Sequence, residues 1–189
     1  MRSAIMEHFF MRIVQISDDY IDLLRNHFPR IMDEKRFHRS HTRKYVGVIF
    51  TVGNFNYYAP FSSPKIKDLK TDGSIKKNSI FSIYMTKDGE NGIRVLLGTI
   101  KLINMVSIPM KYVEGYSIEN EPDSAYKDIV SNEFKWISEN QGKITKKAKQ
   151  LCNFKNNEAL LRSEENAKVY DAILPFKEIE KYLIDNKLI

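Results

Sequence analysis

The sequence predicts an α+β fold in which a strongly curved antiparallel sheet carries helices from both ends of the chain. Three observations predict it: β-rich segments dominate residues 45–110, two pairs of them flank turn sequences, and apolar residues recur at helical spacing on either side of that region. The length of 189 residues is that of one ordinary domain. We therefore expect a single domain over residues 1–189, with its sheet between residues 12 and 110.

The N-terminal part predicts a strand and then a helix. Residues 11–16 alternate as a strand does, and Met11 resembles a second start site, so residues 1–10 are a candidate N-terminal extension. Ser17, Asp18 and Asp19 are typical of a helix start, because a hydroxyl can cap free amides and carboxylates favour the positive end of the helix dipole. Apolar residues then recur at helical spacing up to Pro29: Tyr20, Leu23, Leu24 and Phe28.

Two hairpins are expected next. Residues 45–50 and 55–59 flank Gly53 and Asn54, and residues 79–85 and 93–97 flank Asp-Gly and Asn-Gly pairs that favour tight turns. The β character continues over residues 98–109.

The C-terminal third is predicted to be helical. Apolar residues follow Pro122 at helical spacing and give a helical region over residues 128–151. Leu160, Leu161 and Leu174 suggest one more helix, and Ile179 and Leu183 a last one after Pro175; Phe134 and Trp136 are expected in the core.

Composition limits the class of protein. A formal charge of +6 and a pI near 9.2 make nucleic acid a plausible partner. The single cysteine, Cys152, excludes an internal disulfide and favours the cytoplasm. No stretch predicts a signal peptide or a membrane span. The spacing of His, Cys and carboxylates predicts no metal site, and no phosphate-binding loop or dinucleotide fingerprint predicts a cofactor.

The most informative stretch is a loop that follows the second strand of the first hairpin. It runs from Tyr58-Ala59-Pro60 through Phe61 to Ser62-Ser63-Pro64-Lys65. The two prolines restrict the backbone, so the hydroxyls and the lysine are presented with limited freedom. The alternative is a surface turn with solvated lysines. A basic loop over residues 30–44 precedes the hairpin.

This stretch resembles the signature of the ToxN/AbiQ family of type III toxin-antitoxin systems, which reads (L/Y)AP(L/F)(T/S)SPK. Residues 11–21 are similar to that family's opening strand and first helix, residues 98–109 match a third motif, and residues 128–151 look like its long C-terminal helix. The resemblance covers nearly the whole chain. It implies a sheet close to the barrel-like core of the Kid/MazF toxin fold.

The resemblance also implies an activity. Members are metal-independent endoribonucleases in which the ribose 2′-hydroxyl attacks the adjacent phosphate, leaving 2′,3′-cyclic phosphate and 5′-hydroxyl ends. The expected substrate is cellular or phage RNA, cut at adenine-rich sites, with growth arrest or abortive phage infection as the outcome. The expected partner is an RNA antitoxin of pseudoknot repeats, which the toxin cuts from a precursor and holds in a closed protein-RNA assembly. No DNA partner is expected.

Five residues are catalytic candidates by this resemblance. Lys65 stands at the family's catalytic lysine, where an ammonium would stabilise charge on the phosphorane. Ser63 and Ser62 could donate hydrogen bonds to a phosphate oxygen or position the loop. Tyr20 matches a functional tyrosine, although its place on an apolar helix face equally suggests a core residue. Arg43 replaces a lysine and keeps a phosphate-binding charge.

The basic loop departs from the family at one position. Arg39 falls where some members carry a tyrosine, and a guanidinium is a poor proton shuttle. His38 and His41 are then candidates for moving a proton, because imidazole titrates near neutral pH, but a pair of histidines in a basic loop can also be incidental. These three residues and Lys67 are expected to bind RNA.

Lysines of the C-terminal helices are further candidates for binding RNA. Lys143, Lys146 and Lys147 could contact phosphates, or they could form a solvated helix face. Two rival functions stay open: a non-catalytic RNA-binding module, and a structural or protein-interaction domain whose charge is incidental. Cyclic phosphate ends would exclude the first, and RNA binding at moderate salt would exclude the second.

Overall fold

The structure is a computed structural model that describes residues 11–32, 43–157 and 164–189, without the side chains of Val48, Asn91 and residues 164–166. The strands are β1 (Arg12–Ile16), β2 (Tyr45–Val52), β3 (Phe55–Ser62), β4 (Ser82–Asp88), β5 (Arg94–Lys101), β6 (Val106–Ser107) and β7 (Val113–Gly115). The helices are α1 (Asp18–His27), α2 (Ser124–Glu139), α3 (Gln141–Lys155), α4 (Glu164–Ala172) and α5 (Phe176–Asp185).

The strands form one antiparallel sheet in the order β4-β5-β3-β2-β1-β7, with β6 also paired to β3. The predicted α+β class is therefore confirmed. The sheet extends past the expected end at residue 110, because Val14 of β1 pairs with Gly115 of β7. The pairings do not show a closed or strongly curled sheet, so the barrel-like curvature stays a prediction.

Both predicted hairpins are present. Gly53 adopts φ +56° between β2 and β3, and Gly92 adopts φ +73° between β4 and β5, where a residue without a Cβ avoids strain. The β character expected over residues 98–109 is interrupted. β5 ends at Lys101, a 3-10 turn follows at Leu102–Asn104, and β6 has two residues.

The helix ends follow local chemistry. The Tyr20 amide donates to the Ser17 hydroxyl at 3.3 Å, which caps α1 as predicted. The helical region expected over residues 128–151 is two helices that meet at Asn140, whose φ of −120° and ψ of 17° leave the helical range. α5 follows Pro175 as expected. Leu160 and Leu161 lie outside the described residues.

The C-terminal helices pack on the sheet. The Thr145 hydroxyl of α3 donates to the Ile49 carbonyl of β2 at 3.0 Å. Tyr57 of β3 contacts α5 twice, by a hydrogen bond to Glu180 and by an edge contact with Phe176. In the described part of the chain, no helix is long and apolar enough to cross a membrane.

Candidate active site

Three polar residues lie in one row near the ends of adjacent strands. Two of them, Arg43 and Ser62, are predicted site residues, and the third is Thr99. The Phe61 amide donates to the Lys44 carbonyl at 3.2 Å, so continuing this antiparallel register places Arg43 opposite Ser62. On its other side, Ser62 pairs with Thr99 of β5. Arg43, Ser62 and Thr99 therefore lie side by side across the segment that leads into β2, the end of β3, and β5.

Two hydroxyls of this row are buried. Neither the Ser62 nor the Thr99 hydroxyl has a hydrogen-bond partner among the described residues. An unsatisfied buried hydroxyl costs about 1–3 kcal/mol, and such groups in native folds call for an explanation such as a functional role. Arg43, the residue opposite Ser62, is only 5% exposed and carries a permanent positive charge.

The chain leaves the sheet after Ser62 and exposes Ser63, Pro64 and Lys65. A 3-10 turn at Ile66–Asp68 follows. The buried Asp68 carboxylate accepts the Lys65 amide at 3.1 Å and the Lys101 ammonium at 3.2 Å. The Lys65 side chain is thus presented to solvent from a backbone that is fixed to β5.

Burial and charge oppose each other at this anchor. Burial lowers the pKa of Lys101, and the hydrogen bond and charge of Asp68 act in the opposite direction. The pair is almost enclosed, since the Asp68 side chain is 3% exposed and that of Lys101 is 13% exposed. Removing one partner would therefore leave a poorly solvated charge.

A second buried cation lies next to Arg43. The Lys44 ammonium is 4.2 Å from the Tyr116 ring centroid and 5.9 Å from that of Tyr126, which is cation–π geometry. Burial raises the pKa of Tyr116 and raises that of Tyr126 to about 12. Both phenols therefore stay neutral at physiological pH.

A buried carboxyl group completes this part of the site. Glu133 of α2 is 2% exposed and packs where a side chain at position 98 would stand: a Cβ on Gly98 would lie 2.3 Å from its Oε1 and 3.0 Å from the Ser62 carbonyl. Desolvation raises the pKa of Glu133 to about 8. It is therefore protonated at neutral pH and adds no negative charge beside the row.

The family is settled by a match across almost the entire chain. The family model for toxin ToxN of type III toxin-antitoxin systems matches residues 12–184. The chain belongs to the ToxN family.

Individual relatives agree with this assignment. An endoribonuclease ToxN from Pectobacterium atrosepticum is 26% identical over 145 residues, which are 76% of this chain and 80% of that protein. A solved structure from work on selective inhibition of type III toxins by a non-coding RNA pseudoknot has a TM-score of 0.74 at 21% identity, covering 94% of this chain and 98% of that one. AbiQ, a lactococcal anti-phage endoribonuclease, has a TM-score of 0.69 at 19% identity, covering 95% and 99%.

Within this ToxN-family fold, four of the predicted catalytic residues lie on one stretch of β3 and its loop or on the segment paired to it. Ser62 and Arg43 are neighbours in the row, and Ser63 and Lys65 follow on the anchored loop. Lys67 is exposed on the same loop, where its carbonyl accepts the Lys76 ammonium at 2.7 Å. Their roles in RNA binding and cleavage stay predictions.

Tyr20 lies elsewhere. It is fully buried, its hydroxyl donates to the Ser107 carbonyl at 2.6 Å, and its ring stacks on Tyr112 at 4.5 Å. Ser107 pairs with Tyr57, at the opposite half of β3 from Ser62. This geometry is that of the core alternative. Burial raises the Tyr20 pKa, so the phenol is not a proton acceptor at neutral pH.

The remaining predicted residues are distributed as follows. Arg39, His38 and His41 lie outside the described residues. On α3, Lys143 and Lys146 are exposed and Lys147 is half-buried. Among the described residues, no group of three or more His, Cys, Asp or Glu side chains is placed to hold a metal ion.

Sequence reasoning missed Thr99, Lys44, Asp68 and Glu133. The Glu133 position had a signal: it lies three residues after Val130 and four before Ile137, on the stripe that α2 buries. Phe134, expected in the core, is instead 38% exposed. Thr99 and Asp68 carry no comparable local signal, because strand pairing and a turn contact place them.

Proposed function

We propose that this ToxN-family protein is a metal-independent endoribonuclease that cuts cellular or phage RNA by transesterification. The observation that carries the proposal is the row of Arg43, Ser62 and Thr99, from which the chain continues directly into the exposed, anchored Lys65. The family match and the endoribonuclease relatives support it.

The 2′-oxygen forms a bond to phosphorus while the bond from phosphorus to the 5′-oxygen breaks, which leaves a 2′,3′-cyclic phosphate and a 5′-hydroxyl. Negative charge grows on the phosphorane oxygens. The exposed Lys65 is the cation assigned to that charge, and the buried Arg43 is assigned to add positive potential from beneath the surface. Both would stabilise the transition state more than the ground state. The exposed Ser63 hydroxyl is assigned to a non-bridging oxygen, and the buried Ser62 hydroxyl to positioning the loop.

The proton balance needs an acceptor for the 2′-proton and a donor for the 5′-oxygen. Lys65 is suited to donate, because an exposed ammonium carries protons that a developing alkoxide can take. His38 and His41 are suited to accept, because neutral imidazole titrates near physiological pH.

A pseudoknot RNA is the proposed inhibitor. The solved structure that covers 94% of this chain, at 21% identity, comes from work on toxin inhibition by such an RNA. The excess of six positive charges favours binding of a folded polyanion. We propose that the toxin cuts its antitoxin from a repeated precursor and stays bound to the units in a closed protein-RNA assembly. By analogy with anti-phage AbiQ, release would arrest growth during infection.

The decisive experiment incubates purified protein with mixed RNA in excess chelator and maps the ends. Discrete cuts with cyclic phosphate ends are expected. The Lys65→Ala and Ser63→Ala variants should lose at least about 100-fold in rate, the usual scale for a lost charge-stabilising donor. Lys70→Ala is the matched control, because Lys70 is an exposed lysine of the same loop.

Two results would contradict the proposal. If every form binds RNA but leaves it intact, the protein is an RNA-binding module. If cleavage survives in Lys65→Ala but not in Lys70→Ala, the catalytic assignment is wrong.

A further inference from the structure

A wide groove lies next to the candidate active site. It has a volume of about 620 Å³ and is bounded by the 73–78 loop, the outer strands β4 and β5, and the junction of α2 and α3. It is separate from the row of Arg43, Ser62 and Thr99, none of which lines it.

The charged side chains that line the groove are all basic. Lys76, Lys77, Arg94 and Lys143 line it, and the described lining residues include no carboxylate. Arg94 also faces Asp88 at 3.9 Å, but both side chains are more than 70% exposed, so this ion pair is weak and leaves the guanidinium available. The groove therefore favours a polyanion.

Its wall also carries aromatic rings. Trp136 of α2 and Tyr84 of β4 line it, and both are only half-buried. The Lys143 ammonium lies 5.4 Å from the Trp136 ring centroid. A lysine on its flexible stem can move from the ring to a phosphate while a base takes the ring face. Cations interleaved with aromatic rings are the chemistry that binds single-stranded nucleic acid.

Hydrogen bonds connect the rim of the groove to the turn that follows Lys65. The Lys76 amide donates to the Asp68 carbonyl at 3.1 Å, and the Lys76 ammonium donates to the Lys67 carbonyl at 2.7 Å. Asp68 in turn accepts the Lys65 amide. The loop thus doubles back, so that the rim of the groove lies beside the turn that begins at Lys65.

We infer that this groove binds the single-stranded RNA that flanks the scissile phosphate, with one base stacked on Trp136 and its phosphates held by Lys77, Arg94 and Lys143. The inference rests on the proposed function for the meaning of the scissile phosphate. The groove supplies affinity to any single strand, since stacking tolerates every base.

The only tryptophan of the chain is Trp136, so intrinsic tryptophan fluorescence reports on the groove directly. The Lys65→Ala protein is titrated with adenine-rich single-stranded RNAs of increasing length. We expect saturable quenching that tightens with length until the groove is filled. Lys77→Ala and Arg94→Ala should each weaken binding and lower the slope of log affinity against log salt by about 0.7. Lys177→Ala, an exposed lysine of α5, should change neither.

Cleavage gives an independent readout. On a long RNA, Trp136→Ala should lower kcat/KM by about 5- to 150-fold, the range for one lost stacking contact, mainly through KM. Trp136→Phe should restore most of it. A dinucleotide, which is too short to occupy the active site and the groove together, should be cut at the wild-type rate by the Trp136, Lys77 and Arg94 variants. Because Lys77 and Arg94 are exposed, their variants test the inference even if a Trp136 variant unfolds.

The two proposals fail differently. Length-dependent quenching without any cleavage would refute the proposed nuclease activity and still support RNA binding in the groove. The opposite result would be normal cleavage of long RNA by Lys77→Ala and Arg94→Ala, with tryptophan fluorescence unchanged by single-stranded RNA. It would refute RNA binding in the groove and leave the proposed nuclease activity standing. Quenching by a folded pseudoknot but not by single strands would also overturn the assignment.

Discussion

The buried Glu133 should make the stability of the protein fall as pH rises. Its pKa is about 8 in the folded protein against an ordinary value of 4.5, because α2 buries it. Between those two values the unfolded chain releases the proton and the folded chain keeps it, so the folded state binds more protons and loses stability with increasing pH. The contribution is complete below pH 4.5 and lost above pH 8.

The size of this loss in unfolding free energy follows from the shift in the pKa of Glu133. One pKa unit corresponds to about 1.4 kcal/mol, so the loss between the two values is about 5 kcal/mol at most. Water entry or movement of the side chain on ionisation would lower it. Glu133→Gln keeps the shape and removes the titration. The variant should match the wild type at pH 5 and exceed its unfolding free energy by several kcal/mol at pH 9.

Urea unfolding at pH 5, 7 and 9 measures this directly. Glu139→Gln is the matched control, because Glu139 is an exposed glutamate of the same helix; it should give parallel curves. If Glu133→Gln also runs parallel to the wild type from pH 5 to pH 9, the desolvation argument is refuted.

Three further perturbations test buried contacts, two beside the candidate site and one in the core. Gly98→Ala should cost about 1–3 kcal/mol and lower the thermal midpoint, because its Cβ meets Oε1 of the buried glutamate at 2.3 Å; Gly142→Ala, with open space around it, should be neutral or stabilise by about 0.5 kcal/mol. Asp68→Asn should cost about 3 kcal/mol by chemical unfolding, since Lys101 loses its buried partner. Tyr20→Phe should cost about 1–2 kcal/mol by the same assay, because it leaves a buried strand carbonyl unpaired.

Local chemistry explains what the sequence predicted well. The turn at Gly53 and the cap at Ser17 depend on residues adjacent in the chain, and both appear where expected. The helix break at Asn140 could not be predicted in this way. The apolar stripe continues from Ile137 to Ile144 on both sides of it, so spacing alone gives one helix.

The candidate site was predictable in part. Ser62, Ser63 and Lys65 are adjacent in sequence and form one motif. Glu133 is buried against Gly98 because of the way α2 docks on β5. The same tertiary packing leaves the neighbouring Phe134 partly exposed. A helix with apolar residues on two faces does not reveal which face is buried.

One buried carboxylate ties the candidate chemistry to the groove. Asp68 accepts the Lys65 amide and the Lys101 ammonium through its side chain, and its carbonyl accepts the Lys76 amide. Weakening the contacts of Asp68 should therefore affect both cleavage and RNA binding. Asp68→Asn should lower kcat on a dinucleotide and also weaken the binding of single-stranded RNA. Lys77→Ala, which removes only a phosphate contact, should weaken binding alone. A loss of binding without a loss of dinucleotide cleavage in Asp68→Asn would show that the two regions are held independently.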